Sequence, residues 1–95
     1  MAATVPGVAV VGCGRWGTNL VRAFAGLGAL RAVVDTDPAA AGAASARWNV
    51  PARGLDELLA EPGVEAVAVA TPAASHAEVA GRALAAGRHV FVEKP

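Results

Sequence analysis

The chain has 95 residues, is 55% hydrophobic, and balances eight basic against eight acidic side chains for a formal net charge of zero. That length fits one domain or part of one, and the neutral balance gives no handle for nucleic acid or a membrane surface. The apolar runs are strand-sized and too short for a membrane span, Met1–Pro6 lacks the basic and apolar regions of a signal peptide, and a single Cys13 excludes an internal disulfide, as expected for a cytoplasmic protein.

Short apolar runs alternate with helical patterns, which predicts an α/β protein with a parallel sheet. The first strand is expected over Val8–Val11. It runs into Gly12-Cys13-Gly14-Arg15-Trp16-Gly17, a G-x-G-x-x-G turn of the kind that cradles a pyrophosphate at a helix N-terminus. A helix follows from about Arg15 to Leu27, with Leu20, Val21, Phe24 and Leu27 at helical spacing. Gly26 and Gly28 supply its stop.

The second strand is Leu30–Val34. Asp37-Pro38 reads as N-cap and first residue of an Ala-rich helix ending near Trp48. Val50–Arg53 is expected as a short third strand and Leu55–Glu61 as a brief helix, closed by Pro62-Gly63. Ala66–Ala70 is the fourth strand. Ser75-His76-Ala77-Glu78 has the form of a capping box, predicting a helix from Ser75 to Gly87 with Val79, Ala80, Ala83 and Leu84 facing inward. His89–Val92 is the fifth strand. Right-handed crossovers arrange these five as a Rossmann-type doubly wound parallel sheet of order 3-2-1-4-5.

Candidate chemistry gathers at the carboxyl ends of these strands, where open α/β sheets bind ligands. Asp35 ends the second strand, about twenty residues past the glycine cluster, where a carboxylate accepts hydrogen bonds from an adenosine ribose; the competing reading is a helix-capping or turn Asp. That placement favours NAD over NADP, because a carboxylate repels a 2′-phosphate. Cys13 is read as a small residue filling a tight turn, with a thiol activated by the helix N-terminus as the other reading. Arg15 either pairs with cofactor phosphates or is solvated. Trp16 either lines the nicotinamide side of the pocket or packs against the domain. Thr71-Pro72 leaves the fourth strand at the same edge, and Pro72 forms a rigid ledge. His76 follows, and a metal role for it would need partners beyond one Cys and His89.

Seven of the eight basic residues are Arg, and Lys94 is the one Lys. An amine can give and take a proton where a guanidinium cannot. Glu93-Lys94-Pro95 leaves the fifth strand toward the crevice holding Gly12 and Thr71, with Lys94 extended by the following proline. There an ammonium could bind a substrate hydroxyl and assist proton transfer; the competing reading is a solvated charged pair.

Taken together, these pieces resemble the N-terminal half of the Gfo/Idh/MocA oxidoreductases, the glucose–fructose oxidoreductase and inositol dehydrogenase family. The matching segments are Val10-Val11-Gly12-Cys13-Gly14-Arg15-Trp16-Gly17, Val33-Val34-Asp35, Val69-Ala70-Thr71-Pro72 with His76 four residues on, Ala86-Gly87-Arg88-His89-Val90, and Glu93-Lys94-Pro95. Gly14-Arg15-Trp16-Gly17-Thr18-Asn19-Leu20 looks like members acting on sugars or sugar nucleotides. The resemblance implies a nicotinamide cofactor and hydride transfer to or from a sugar, polyol or sugar-nucleotide carbinol. It implies that Lys94 contacts nicotinamide and substrate, that Asp35 holds the ribose, and that Thr71, Pro72, His76 and Glu93 surround the cofactor.

Members of that family continue into a second, mostly antiparallel domain with the substrate pocket and the usual dimer surface. The expectation is therefore an incomplete nucleotide-binding domain over residues 1–95, inactive alone, with any oligomer formed through the domain that is absent here. A free-standing nucleotide-binding or regulatory module is the alternative.

Overall fold

The computed structural model describes residues 6–92, and of Arg15 and Trp16 the backbone alone. Eight elements follow in order: β1 (Val8–Val11), α1 (Arg15–Gly26), β2 (Leu30–Val34), α2 (Pro38–Trp48), α3 (Leu55–Leu59), β3 (Ala66–Val69), α4 (Ala73–Ala85) and β4 (His89–Val92). The four strands are all parallel, in the order β2-β1-β3-β4. This is a Rossmann-type sheet with helices on both faces.

Because strand side chains alternate, each buried strand feeds two cores. One face carries Ala9, Val11, Ala32, Val34, Val67 and Val69 against Leu58, Val79 and Ala83, so α3 and α4 lie there. The other carries Val8, Val10, Val33 and Ala68 against Val21, with Leu20 and Phe24 partly buried beside them; α1 lies there, and Ala40 and Ala44 bring α2 onto the same face. A register shift between Val8 and Ala9 skips Arg31 on β2, which keeps Leu30 on the α1 face with Val8. Arg31 is exposed as a result.

Loop chemistry sets the helix ends. Asp37 caps α2 by accepting the Ala39 N–H at 3.0 Å, with Pro38 as first helical residue. Helix α1 closes in a Schellman arrangement: Gly28 N–H donates to Ala25 C=O at 3.0 Å and Ala29 N–H to Phe24 C=O at 2.9 Å. The same pair of bonds recurs at Gly87 and Arg88 after α4. Leu27, expected on the apolar face of α1, is its C-cap and lies 67% exposed.

Three further expectations change in the structure. The five-strand order 3-2-1-4-5 becomes four strands, because Val50–Arg53 makes one isolated parallel bridge, Val33 with Ala52. Val33 N–H donates to Pro51 C=O at 3.1 Å and Arg53 N–H to Val33 C=O at 2.9 Å. Pro51 has no N–H to extend that ladder, and Gly54 turns the chain into α3. The segment still lies beside β2, where the third strand was expected.

Helix α4 starts at Ala73, two residues before the expected capping box. Pro72 is its N-cap, and Ser75 sits inside the first turn with its N–H donating to Pro72 C=O at 2.9 Å. A proline φ of −54° already suits the approach to a helix, so the helix begins directly after it. Finally, Val79 and Ala83 are buried one turn apart, but Leu84 points off the sheet and is 61% exposed; Ala80 is half-buried.

The five-residue helix α3 is anchored by Leu58, which is completely buried. Glu57 closes its first turn by accepting the Gly54 N–H at 3.1 Å. So short a helix has no stability of its own, and truncating its buried leucine would cost about 2–5 kcal/mol.

Candidate functional site

Strand β1 is flanked by β2 on one side and β3 on the other, and the helices switch faces between them. A crevice opens beyond the strand ends at such a switch point. Backbone bonds tie its floor together: Gly12 N–H donates to Val34 C=O at 2.7 Å, and Ala70 N–H to Val11 C=O at 2.8 Å.

The three glycines of the turn meet three different surroundings. Gly12 has φ of +99°, and a Cβ there would lie 2.7 Å from the Ala70 carbonyl carbon. Both the backbone conformation and the space therefore require glycine. A Cβ on Gly17 would fall 1.6 Å from Gly12 O, so α1 rests directly on the turn. Around Gly14 there is nothing within 4 Å of the Cβ position. Gly14 is also the N-cap of α1, with no side-chain cap and no acidic residue in the first turn. Helix geometry leaves the first N–H groups without intrahelical partners, so an open, uncapped helix N-terminus suits an anionic group such as a pyrophosphate.

Asp35 stands beside this opening. Its Oδ2 accepts the Cys13 N–H at 2.6 Å and its Oδ1 accepts the Asp37 N–H at 2.8 Å. A carboxylate has about four acceptor positions, so each oxygen keeps capacity for a further donor. The Cys13–Asp35 bond joins residues 22 apart and was not legible in the sequence. Nor was the Thr18 hydroxyl, which donates to Cys13 C=O at 3.1 Å and braces the turn from inside α1.

Cys13 is buried, and its thiol faces the Val34 carbonyl at 3.7 Å. Burial, with the nearby Asp35 charge adding to it, pushes the thiol up from 9.0 to about 11. The helix N-terminus does not overcome that cost. Cys13 is a neutral filler of a tight turn, and the activated-thiol reading is corrected.

Across the crevice, Thr71 follows β3. Its hydroxyl oxygen is buried and has no hydrogen-bond partner among the described residues. Its carbonyl lies 2.5 Å from His76 Nε2, and since a carbonyl only accepts, Nε2 carries the proton. Pro72 is exposed next to it. Gly12, Gly14, Gly17, Asp35, Thr71 and Pro72 thus meet at one sheet edge, whereas His76 turns its ring back onto the chain. Glu93 and Lys94 lie outside the described residues, as do the side chains of Arg15 and Trp16.

Behind the turn, a cleft of about 180 Å³ runs between α1 and α2, lined by Cys13, Thr18, Val21, Ala40, Ala43, Ala44, Arg47 and Trp48. Arg47 stacks over the Trp48 ring at 5.1 Å. Small apolar side chains line most of it, and Cys13 joins it to the glycine turn. Among the described residues, no three His, Cys, Asp or Glu side chains converge as a metal site. No helix there is long and apolar enough to cross a membrane.

Residues 7–95 match the family model described as "Oxidoreductase family, NAD-binding Rossmann fold", GFO_IDH_MocA. The chain is 35% identical over 88 residues to inositol 2-dehydrogenase of Rhizobium meliloti, covering 90% of this chain and 27% of that protein. The solved structure of GenD2 from gentamicin A biosynthesis, in complex with NAD, superposes with a TM-score of 0.87 at 41% identity, over 94% of this chain and 26% of that one. Biliverdin reductase from Synechocystis, in complex with biliverdin and NADP+, superposes with a TM-score of 0.84 at 27% identity, over 95% and 29%. The chain thus spans about a quarter of the length of the relatives it matches. The family match over residues 7–95, with the fold and the glycine turn that go with it, places the chain in the Gfo/Idh/MocA oxidoreductase family as its NAD-binding Rossmann fold.

Proposed function

We propose that these residues are the cofactor-binding half of an oxidoreductase that moves a hydride between a nicotinamide cofactor and a sugar, polyol or sugar-nucleotide carbinol. One juxtaposition carries the reading: the uncapped, open N-terminus at Gly14 sits next to the Asp35 carboxylate, joined through the Cys13 N–H at 2.6 Å. A dinucleotide presents a ribose diol beside its pyrophosphate, and the two groups suit those two partners. The nicotinamide, when bound, takes up or returns the hydride.

The protein's own residues bind, orient and move a proton. Gly14 leaves the phosphates room to reach the first N–H groups of α1. Asp35 accepts from the ribose hydroxyls and disfavours a 2′-phosphate, so NAD is preferred over NADP. Lys94, on the family resemblance, contacts the nicotinamide and the substrate hydroxyl and supports proton transfer there. Glu93 is assigned to cofactor binding as well, Arg15 to the phosphates and Trp16 to the nicotinamide side. Coverage of about a quarter of each relative supports a longer natural enzyme whose second domain holds the substrate. On this reading residues 1–95 alone bind NAD weakly and do not turn over sugars.

Calorimetric titration of folded protein with NAD(H) tests the binding. Heat of binding with a preference for NAD over NADP is expected; none from a folded sample refutes the reading. Dehydrogenase turnover by residues 1–95 alone would refute the inactivity, and an open reading frame continuing past Pro95 into an antiparallel-sheet domain is expected in the coding DNA.

A further inference from the structure

Gly14 is the freest residue of the turn. A Cβ there would meet nothing within 4 Å, so no side-chain packing fixes its backbone, and glycine takes either sign of φ at little cost. The two peptides that flank it are nonetheless held, and one residue holds both. The Thr18 hydroxyl donates to Cys13 C=O at 3.1 Å, and the Thr18 N–H donates to Gly14 C=O at 2.8 Å. The helix ladder needs only the second of these bonds. The first is an addition made by the side chain.

The described chain has no cis peptide, and the carbonyl and N–H of a trans peptide point in opposite directions. With Cys13 C=O drawn toward Thr18, the Gly14 N–H points away from Thr18 and out of the turn, into the space that Gly14 leaves open. Were that peptide to turn over, the same space would receive a carbonyl oxygen, which repels the phosphate that an N–H attracts. Asp35 does not prevent this. Its Oδ2 accepts the Cys13 N–H at 2.6 Å, which fixes the preceding peptide and leaves the Cys13–Gly14 peptide to Thr18.

We propose that Thr18 is a positioning residue for the bound dinucleotide: its hydroxyl latches the Cys13–Gly14 peptide so that the Gly14 N–H, and not the Cys13 carbonyl, faces the pyrophosphate. Thr18 itself does not touch the cofactor, because its side chain lies behind the turn, in the cleft between α1 and α2. The inference rests on the NAD reading above. What it adds is a residue outside the glycine hexapeptide that decides which way one donor of the phosphate cradle points.

The role is separable by substitution. Thr18→Val removes the hydroxyl and keeps the branched shape at an exposed position, so the protein folds and melts close to wild type without ligand. NAD affinity falls about fivefold, the scale of one hydrogen bond, because the donor must now be ordered at each binding event. ADP carries the diphosphate without the nicotinamide and loses by the same factor. Adenosine has no phosphate, and its inhibition constant against NAD stays at the wild-type value. Thr18→Ser keeps the hydroxyl and restores most of the affinity.

The measurements are NAD and ADP titrations, adenosine competition and thermal melts on the full natural chain carrying these residues. A purely structural role would weaken adenosine along with ADP, and that result overturns the proposal. So does a Ser variant no better than Val, or a Thr18→Val protein with unchanged NAD affinity. The last of these is decisive even where adenosine binds too weakly to compete. Wild-type protein that binds no NAD refutes the functional reading itself; wild type that binds while Thr18→Val binds equally refutes this inference alone.

Discussion

Asp35, at the end of β2, holds the glycine turn by accepting the Cys13 N–H at 2.6 Å. The same carboxylate accepts the Asp37 N–H at 2.8 Å, so it ties the β1–α1 turn to the start of α2 before any ligand arrives. Asp35→Ala should therefore act twice. Without cofactor it lowers stability by about 1–2 kcal/mol, the scale of hydrogen bonds to a half-exposed charged group, read by denaturant titration. With cofactor it weakens NAD more than NADP, because the loss of ribose contacts is offset for NADP by the lost repulsion. Equal losses for the two cofactors would sink the ribose assignment.

The thiol beneath that bond gives a pH prediction. Cys13 titrates near 9.0 when exposed and at about 11 in the fold, chiefly through burial. Between those values the unfolded chain has released its proton and the folded chain has kept it. The unfolded state then binds fewer protons, so stability falls as pH rises. The Cys13 contribution is level below pH 9, declines between 9 and about 11, and is removed by Cys13→Ser or Cys13→Ala. At pH 7 the folded protein should resist thiol alkylation and react on addition of denaturant. Fast labelling of native protein would contradict the buried, neutral thiol.

Much of the fold was legible because its signals are local. Buried parallel strands read as unbroken Val and Ala runs, as β1 and β3 do; β2 carries the exposed Arg31, and the mostly exposed β4 was placed by its apolar Val90-Phe91-Val92 run. Gly28 and Gly87 mark helix ends because a Schellman closure needs its special residue one position past the helix. Where the reading slipped, two local signals competed. Val50–Arg53 has strand-like flanks, but Pro51 can only accept, so pairing stops at one bridge. Ser75 and Glu78 have capping-box spacing, but Pro72 starts α4 earlier. The glycine turn, Asp35 and Thr71 were legible from spacing. The bonds that make them one site were not. Cys13 to Asp35 spans 22 residues, and the Thr71 hydroxyl is buried with no partner among the described residues; neither leaves a trace in composition or periodicity.

At the opposite end of the sheet, Arg88 holds together the ends of two helices. Its Nη2 donates to Leu59 C=O at 2.8 Å and Glu61 C=O at 3.2 Å, and its Nη1 to Ala86 C=O at 3.3 Å. These carbonyls belong to the closing turns of α3 and α4, where a cation also meets the negative end of the helix dipoles. Arg88→Ala should cost about 2 kcal/mol, since charge-assisted bonds are lost together. Arg88→Lys should recover little, because one ammonium cannot span carbonyls from two helices as the planar fork does. NAD affinity should not change in either variant, since the residue is remote from Gly14. A large affinity loss in folded Arg88→Ala would show that the two ends of the sheet are coupled.

The glycine turn offers the sharpest contrast between fold and function. At Gly17 a methyl group would sit 1.6 Å from Gly12 O, and backbone cannot yield as a flexible side chain can. Gly17→Ala must push α1 off β1, so it should lower the melting temperature strongly and lose NAD only as a consequence. At Gly14 a methyl group meets nothing within 4 Å, and its φ of −77° is open to any residue. Gly14→Ala should therefore still fold, at a cost of at most about 1 kcal/mol because alanine is a poorer N-cap than glycine. The added methyl instead occupies the space through which a pyrophosphate approaches the first N–H groups of α1. NAD affinity in Gly14→Ala should fall at least tenfold while the melting temperature without NAD drops far less than in Gly17→Ala. Paired melts and NAD titrations on the two variants check this. If Gly14→Ala binds NAD as wild type does, the phosphate does not lie at the helix N-terminus.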